Sequence, residues 1–333
     1  MSALSKPYFH NESAAFAFVE GILWPQGPTC PKCGAVDRIS AITPNPEKRV
    51  RYGLKKCGHC KGQFTVRMGT IFEESKLPMT KWLQAIFLMC SSKKGVSSHQ
   101  LHRTLEVTYK TAWFLSHRIR EAMRSGELDP FGSDGGIVEA DETFIGHRKG
   151  APVRQGIGHK MKVLSLLERN TGAKRSVVIE NMRPDTIAAV VTANVSREAH
   201  LMTDEAGHYY RMGKDFARHT EVNHSKGEYV SRADPTIHTN TIEGSFSIFK
   251  RDMRGVYQHC AEKHLHRYLA EFDFRYSNRI ALGVEDQKRA GRALQGVVGK
   301  RLTYRGGANQ RPESPEAQRV RSAPAGVAKR NKK

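Results

Sequence analysis

Residues 137–145 read IVEADETFI, and this stretch governs how everything after it is read. Apolar and acidic residues alternate at a period of two, which is the pattern of a β-strand. Asp141 falls mid-strand, with Glu139 on its own face and Val138, Ala140 and Phe144 on the other. A lone aspartate in a strand is costly unless it is hydrogen-bonded or holds a metal. Outward from it, 160–168 and 174–180 form a hairpin around 169–172, and 184–194 is helical. Residues 201–203 make a short buried strand that ends at Asp204, and 216–222 a further strand. Three strands, a helix and more strand predict an α/β fold with a mixed sheet and flanking helices. The insertion 146–159, rich in Gly, Lys, Arg and His, reads as a basic loop near the first carboxylate.

Residues 238–259, HTNTIEGSFSIFKRDMRGVYQH, place one carboxylate, Glu243, on a helix that is otherwise apolar and basic. Ile242, Phe246, Phe249 and Met253 recur at helical spacing and form its buried stripe. One reading is a capping box, with Asn240 as the cap and Glu243 reaching back to it. The other is a metal ligand, with Lys250 two turns further on and nearly in line. Asp141, Asp204 and Glu243 each have a bland explanation taken singly. As a set in a cationic chain they predict a site for two Mg²⁺ ions about 3.5–4 Å apart, suited to in-line phosphoryl displacement. Asp141 would bridge the two ions, Asp204 and Glu243 would hold one each, and Lys250 would lie near the scissile phosphate. His219, His224 and His238 lack metal-ligand spacing and read as surface or capping residues. From 264 to 279, Leu265, Tyr268, Leu269, Phe272 and Tyr276 continue a helical core stripe, while Arg267, Arg275 and Arg279 read as solvated.

The chain of 333 residues carries 54 Lys+Arg against 33 Asp+Glu, a net charge of +21, which favours a polyanionic partner. No apolar run approaches the roughly 18 residues of a membrane span, so a soluble, cytoplasmic, nucleoid-associated protein is expected. Four of the six cysteines form two close pairs, Cys30 with Cys33 and Cys57 with Cys60. This is tetrahedral ligand spacing for one structural Zn²⁺, and Gly34, Gly58 and Gly62 provide the tight turns. A short helix from Asn11, with Phe16, Val19 and Leu23 inward, is expected to pack on this ribbon. The ribbon itself reads as a hairpin over 39–52 and a short strand over 62–68.

From 78 to 124 the period turns helical. Trp82, Ile86 and Met89 mark one helix, Ser97 and Gln100 cap a second, and Thr108 caps a third with Ala112, Leu115 and Ile119 inward. The short link at 106–107 has helix-turn-helix length. Trp113, His117, Arg120 and Arg124 form a second stripe that reads either as a DNA-facing surface or as the solvated basic face of an ordinary three-helix packing unit. Arg251 and Arg254 are further candidate DNA contacts. Residues 125–136 read as a linker and 299–333 as a disordered basic tail. The domain bounds are therefore 1–70, 71–128, 129–298 and 299–333.

CPKC with CGHC, SKKGVSSHQLHRTLEVTYKTAWFLSHRIREAM, VEADETFIG, MTDE and HTNTIEGSFSIFKR together resemble the DDE-type transposases of bacterial insertion sequences, in the group with a zinc ribbon and an ISXO-like transposase domain. The resemblance runs from about Cys30 to Arg279. It implies a ribonuclease H-like catalytic domain, Mg²⁺ or Mn²⁺, and cut-and-join chemistry on double-stranded transposon ends and target DNA within a homo-oligomeric complex. Asp141 and Asp204 match the first two acids, and Glu243 followed by Lys250 matches the third acid and its basic residue. Asn240 is the alternative third residue, because some members of the group use asparagine there. A nuclease or resolvase that cuts without joining, and a non-catalytic zinc-ribbon DNA binder, are the rival readings.

Overall fold

Asn11 starts the first helix by accepting a hydrogen bond from the Ala14 N–H, and the computed structural model describes residues 2–45, 47–48, 50–124, 129–152 and 156–303. Helix α1 (Glu12–Leu23) buries Ala15, Phe16 and Val19. A small antiparallel sheet follows, with β1 (Ile39–Ala41), β2 (Lys55–Cys57) and β3 (Gln63–Phe64) in that order, and Asn45 bridging Val50 near the turn. Helices α2 (Met79–Ser91), α3 (Ser98–Leu105) and α4 (Tyr109–Met123) come next. The Ser97 and Thr108 hydroxyls cap α3 and α4 as expected, accepting from Gln100 N–H and Thr111 N–H.

The chain then builds its main sheet from β4 (Ile137–Ile145), β5 (Met161–Glu168) and β6 (Lys174–Ile179). After α5 (Pro184–Asn194) come β7 (His200–Asp204) and β8 (Arg218–Val222). The strand order is β6-β5-β4-β7-β8. The first three strands pair antiparallel, while β7 runs parallel to β4 and β8 parallel to β7. Pairing puts Glu139, Asp141 and Thr143 opposite Leu167, Ser165 and Val163, and paired residues share a face. That face lies under α6 (Asn240–Asp252) and α7 (Glu262–Ser277). Leu167 packs with Ile242 and Phe246, and Val163 with Phe249 and Phe272. The opposite face, with Val138, Ala140, Leu164 and Leu166, packs on Ile187 and Val191 of α5.

The last helix, α8 (Asp286–Gln295), packs not on this sheet but with α1, α2 and α4, in a core that includes Phe16, Trp82, Ile119 and Leu294. The Ile71 N–H donates to the Val297 carbonyl and the Gly299 N–H to the Gly69 carbonyl. Sequence from 286 onward therefore completes the helical unit expected from 71–128 alone. Helix α1 belongs to the same core rather than chiefly to the ribbon, which it meets through a Glu20–Lys55 ion pair at 2.9 Å and Trp24 against Phe64.

Within the expected linker, Phe131 is buried and bridges Val195, so 129–136 is part of the folded unit, and 125–128 lie outside the described residues. Residues 153–155 of the basic loop also lie outside them. Residues 299–303 of the expected tail pack on the helical unit, where Arg118 donates to the Leu302 carbonyl, and 304–333 lie outside the described residues. No helix among the described residues is long and apolar enough to cross a membrane.

Candidate active site

The ribbon brings its two knuckles together. All four cysteine sulfurs lie within 4.8 Å of one another, with Cys30 3.7 Å from Cys60 and Cys33 3.7 Å from Cys57. Four thiolates about 2.3 Å from one tetrahedral ion stand about 3.8 Å apart, so these spacings fit Zn²⁺. Backbone N–H groups of Cys60 and His59 hold the Cys57 thiol below its ordinary value, as a thiolate ligand requires. Chelating zinc, or Cys30→Ser, is expected to take bound zinc from one equivalent to none and to expose the ribbon to proteolysis while the main sheet stays folded. Unchanged zinc content in the mutant, measured by atomic absorption, would contradict this.

The three carboxylates are positioned by the main sheet and the helix above it. The β4–β7 register pairs Ile137 with His200, Val138 with Leu201 and Glu139 with Met202. Continued two residues along both strands, it puts Asp204 beside Asp141, on the face covered by α6 and about one strand spacing of 4.8 Å away. Burial, followed by the charges of Glu142 and Asp204 and more weakly Glu243, pushes the Asp141 carboxyl up to about 8. Burial likewise raises Asp204, with Glu142 adding to the effect. Among the described residues no ion pair reaches either aspartate; each accepts one backbone N–H, Asp141 from Glu142 and Asp204 from Ala206, and their carboxylate oxygens are the hard donors a divalent cation such as Mg²⁺ takes.

Folded Asp141 holds its proton more tightly than the unfolded chain does. Its contribution is therefore neutral below the ordinary value of 3.8 and turns destabilising as pH rises from there to about 8. In EDTA, the Tm gap between Asp141→Asn and wild type should widen between about pH 5 and 8 in favour of the mutant, and Mg²⁺ should close it. A gap that does not change with pH would contradict this placement.

Glu243 differs from the capping-box reading. Thr239, not Asn240, is the cap residue, and Asn240 is the exposed first residue of α6. The Thr239 hydroxyl donates to Glu243 Oε1 at 2.8 Å, and His224 Nε2 lies 3.3 Å from the same oxygen. Lys250 lines a separate cavity further along α6, described below.

Two acids that flank Asp141 position the site, and sequence reasoning gave neither a role. Glu139 is fully buried. One of its oxygens accepts from Arg169 Nε at 2.5 Å and the other from the Ile242 N–H at 2.8 Å, so β4 is tied to the first turn of α6. Arg169 continues this brace to the carbonyls of Thr236 and His238. Glu142 points to the opposite face, where His208 lies 3.0 Å from Oε1 and the Tyr209 hydroxyl donates to the same oxygen at 2.5 Å. His224 and His238, expected at the surface, are thus in contact with site residues.

The stripe of Trp113, His117 and Arg120 does not face outward. His117 and Arg120 are buried in the seam between α4 and α7, where Arg120 Nε donates to Glu271 at 2.7 Å. Trp113 meets His264 of α7 edge-on at 5.5 Å between ring centres, and His117 meets it tilted at 5.0 Å. Arg124 is at the surface, paired with Glu121 at 3.0 Å. Arg267 and Arg275, expected to be solvated, are buried and bonded to Glu121 and Asp252. Arg251 and Arg254 are exposed.

Residues 135–277 match the ISXO2-like transposase domain, and residues 10–63 match the transposase zinc-ribbon domain. The chain therefore carries a transposase zinc ribbon followed by an ISXO2-like transposase domain. An uncharacterized protein in transposable element ISH50 of Halobacterium salinarum is 27% identical over 292 residues, covering 80% of this chain and 91% of that protein. Among solved structures, the simian T-cell lymphotropic virus intasome in complex with PP2A regulatory subunit B56 gamma is 14% identical. That match covers 52% of this chain and 67% of the other, with a TM-score of 0.27. The Drosophila P element transposase strand transfer complex is 10% identical over 66% of this chain and 64% of the other, with a TM-score of 0.26.

Proposed function

We propose that this protein is a DNA transposase that cuts and joins DNA at the ends of its element, using a ribonuclease H-like domain whose acids are Asp141, Asp204 and Glu243. The observation that carries the reading is the β4–β7 register, which sets the two aspartates side by side beneath the helix that holds Glu243. The strand order, three antiparallel strands with two parallel ones added beside the first, supports the ribonuclease H-like assignment.

Bound at these acids, a pair of Mg²⁺ or Mn²⁺ ions would supply an activated water or 3′-hydroxyl and stabilise the leaving oxygen. The protein's part is positional. Glu139 and Arg169 fix the start of α6, so Glu243 keeps its place over the sheet. Glu243 rather than Asn240 is the third acid, because a carboxylate binds a hard cation better than an amide does and because Asn240 points its helix position to solvent. The ribbon holds one structural Zn²⁺. The chain's +21 charge and the exposed Arg251 and Arg254 suit double-stranded DNA, and the protein works in the cytoplasm as a homo-oligomer on its substrate.

Strand transfer with precleaved element ends tests the proposal. Joined products in Mg²⁺ are expected from wild type and from Asn240→Ala, and none from Glu243→Gln. Hydrolysis without joining would replace the transposase reading with that of a nuclease.

A further inference from the structure

A cavity of about 650 Å³ opens where the ends of β4 and β5 meet α4, the far end of α6 and the start of α7. That is within the roughly 300–1,000 Å³ of pockets that take one small ligand. Its walls are of two kinds. Trp113, Phe144 and Tyr268 supply aromatic surface, and Lys160, Lys250 and Arg254 supply positive charge. No carboxylate lines it, and among the described residues no acid pairs with these three cations.

Behind the aromatic wall, His117 is fully buried with both ring nitrogens lacking a hydrogen-bond partner, its ring 4.2 Å from Trp113 and 5.0 Å from His264. Unsatisfied buried polar groups of this kind call for a reason, and binding sites are one place they persist. Burial and Arg267 hold His264 at about 4, so at neutral pH it offers a flat uncharged ring.

A planar ring and an anion held together are what such walls fit, because every base has a face to stack and every nucleotide a phosphate. We propose that this cavity binds an unpaired nucleotide of the DNA strand being processed, with its base against Trp113 and its phosphate on Lys250 and Arg254. A strand rather than a free nucleotide is inferred from α6. Glu243 and Lys250 stand two turns apart on it, about 10 Å, which a few nucleotides span. Drawing a base from the stack costs a few kcal/mol, which the aromatic and cationic contacts offset. The cavity would thereby fix the register of the strand relative to the carboxylates. This rests on the DNA-processing reading above.

The test uses full-length protein and the 5′-phosphorylated trinucleotide of thymidine, read by tryptophan emission. Wild type should be quenched, Trp113→Leu should lose the quench, and Arg254→Ala should weaken binding by about tenfold or more. Arg254 is exposed, so its variant reports on binding even if Trp113→Leu disturbs packing. Thymidine monophosphate, inorganic phosphate and a blunt duplex of matching length should each compete at least about tenfold less well. Equal competition by any of them, a quench that survives in Trp113→Leu, or unchanged affinity in Arg254→Ala overturns the proposal. Asp141→Asn should keep the quench, since Asp141 does not line the cavity. Quenching in a protein that cuts no DNA would reject the transposase reading alone, and cutting without quenching would reject the cavity alone.

Discussion

Asp141→Asn is expected to lower strand cleavage and strand transfer by at least about a thousandfold while leaving DNA affinity within about threefold. The magnitude follows from the several kcal/mol that metal-assisted charge stabilisation contributes, at one factor of ten per 1.4 kcal/mol. Binding is expected to survive because an anionic, half-buried carboxylate would add nothing to phosphate contacts, which a chain of net charge +21 would make with its Lys and Arg. The substitution keeps shape and removes only charge. Since that charge is crowded by Glu142 and Asp204, the metal-free mutant should fold at least as well as wild type, so lost activity cannot be put down to unfolding. Retained cleavage would remove the catalytic role and leave a zinc-bearing DNA binder.

Arg120→Ala should destabilise the protein by about 3–5 kcal/mol, because it removes the nearest cation from a buried carboxylate. Arg120 and Glu271 are 1% and 0% exposed, and the Tyr257 hydroxyl and Arg275 also converge on Glu271. The pair ties α4 to α7, and so ties the helical unit to the helices over the main sheet. A DNA-contacting arginine at this position would give the opposite pattern, with Tm unchanged, weaker DNA binding and a shallower salt dependence. Thermal or urea unfolding of Arg120→Ala beside a DNA titration decides between them. The double change Arg120→Met with Glu271→Leu should recover part of the loss, as apolar replacements of buried ion pairs often do.

The strands of the main sheet were legible in the sequence because their signals are local, whereas the ribbon hairpin expected over 39–52 instead pairs Ile39–Ala41 with Lys55–Cys57. Alternation defined β4 to the residue, and Ser97 and Thr108 marked two helix starts by chemistry that reaches only three residues. The arginines were misread because a charged side chain reads as solvated unless its partner is visible. The partner of Arg120 lies 151 residues away. Helix α8 escaped notice for a related reason. Apart from glycine, its apolar residues are only Ala290, Ala293 and Leu294, and its buried Arg289 is satisfied by the carbonyls of Asn278 and Cys90. Glu139 was given no role, because its hydrogen bond to Ile242 spans 103 residues and became visible only once α6 was placed.

The most direct measurement is the anomalous scattering of Mn²⁺ diffused into crystals of the full-length protein, recorded at the manganese edge. Peaks within coordination distance of Asp141, Asp204 and Glu243, about 2.0–2.4 Å from their oxygens and absent in Asp141→Asn, are the expected result. Manganese found elsewhere, or none between these three side chains at saturating concentration, would contradict the account.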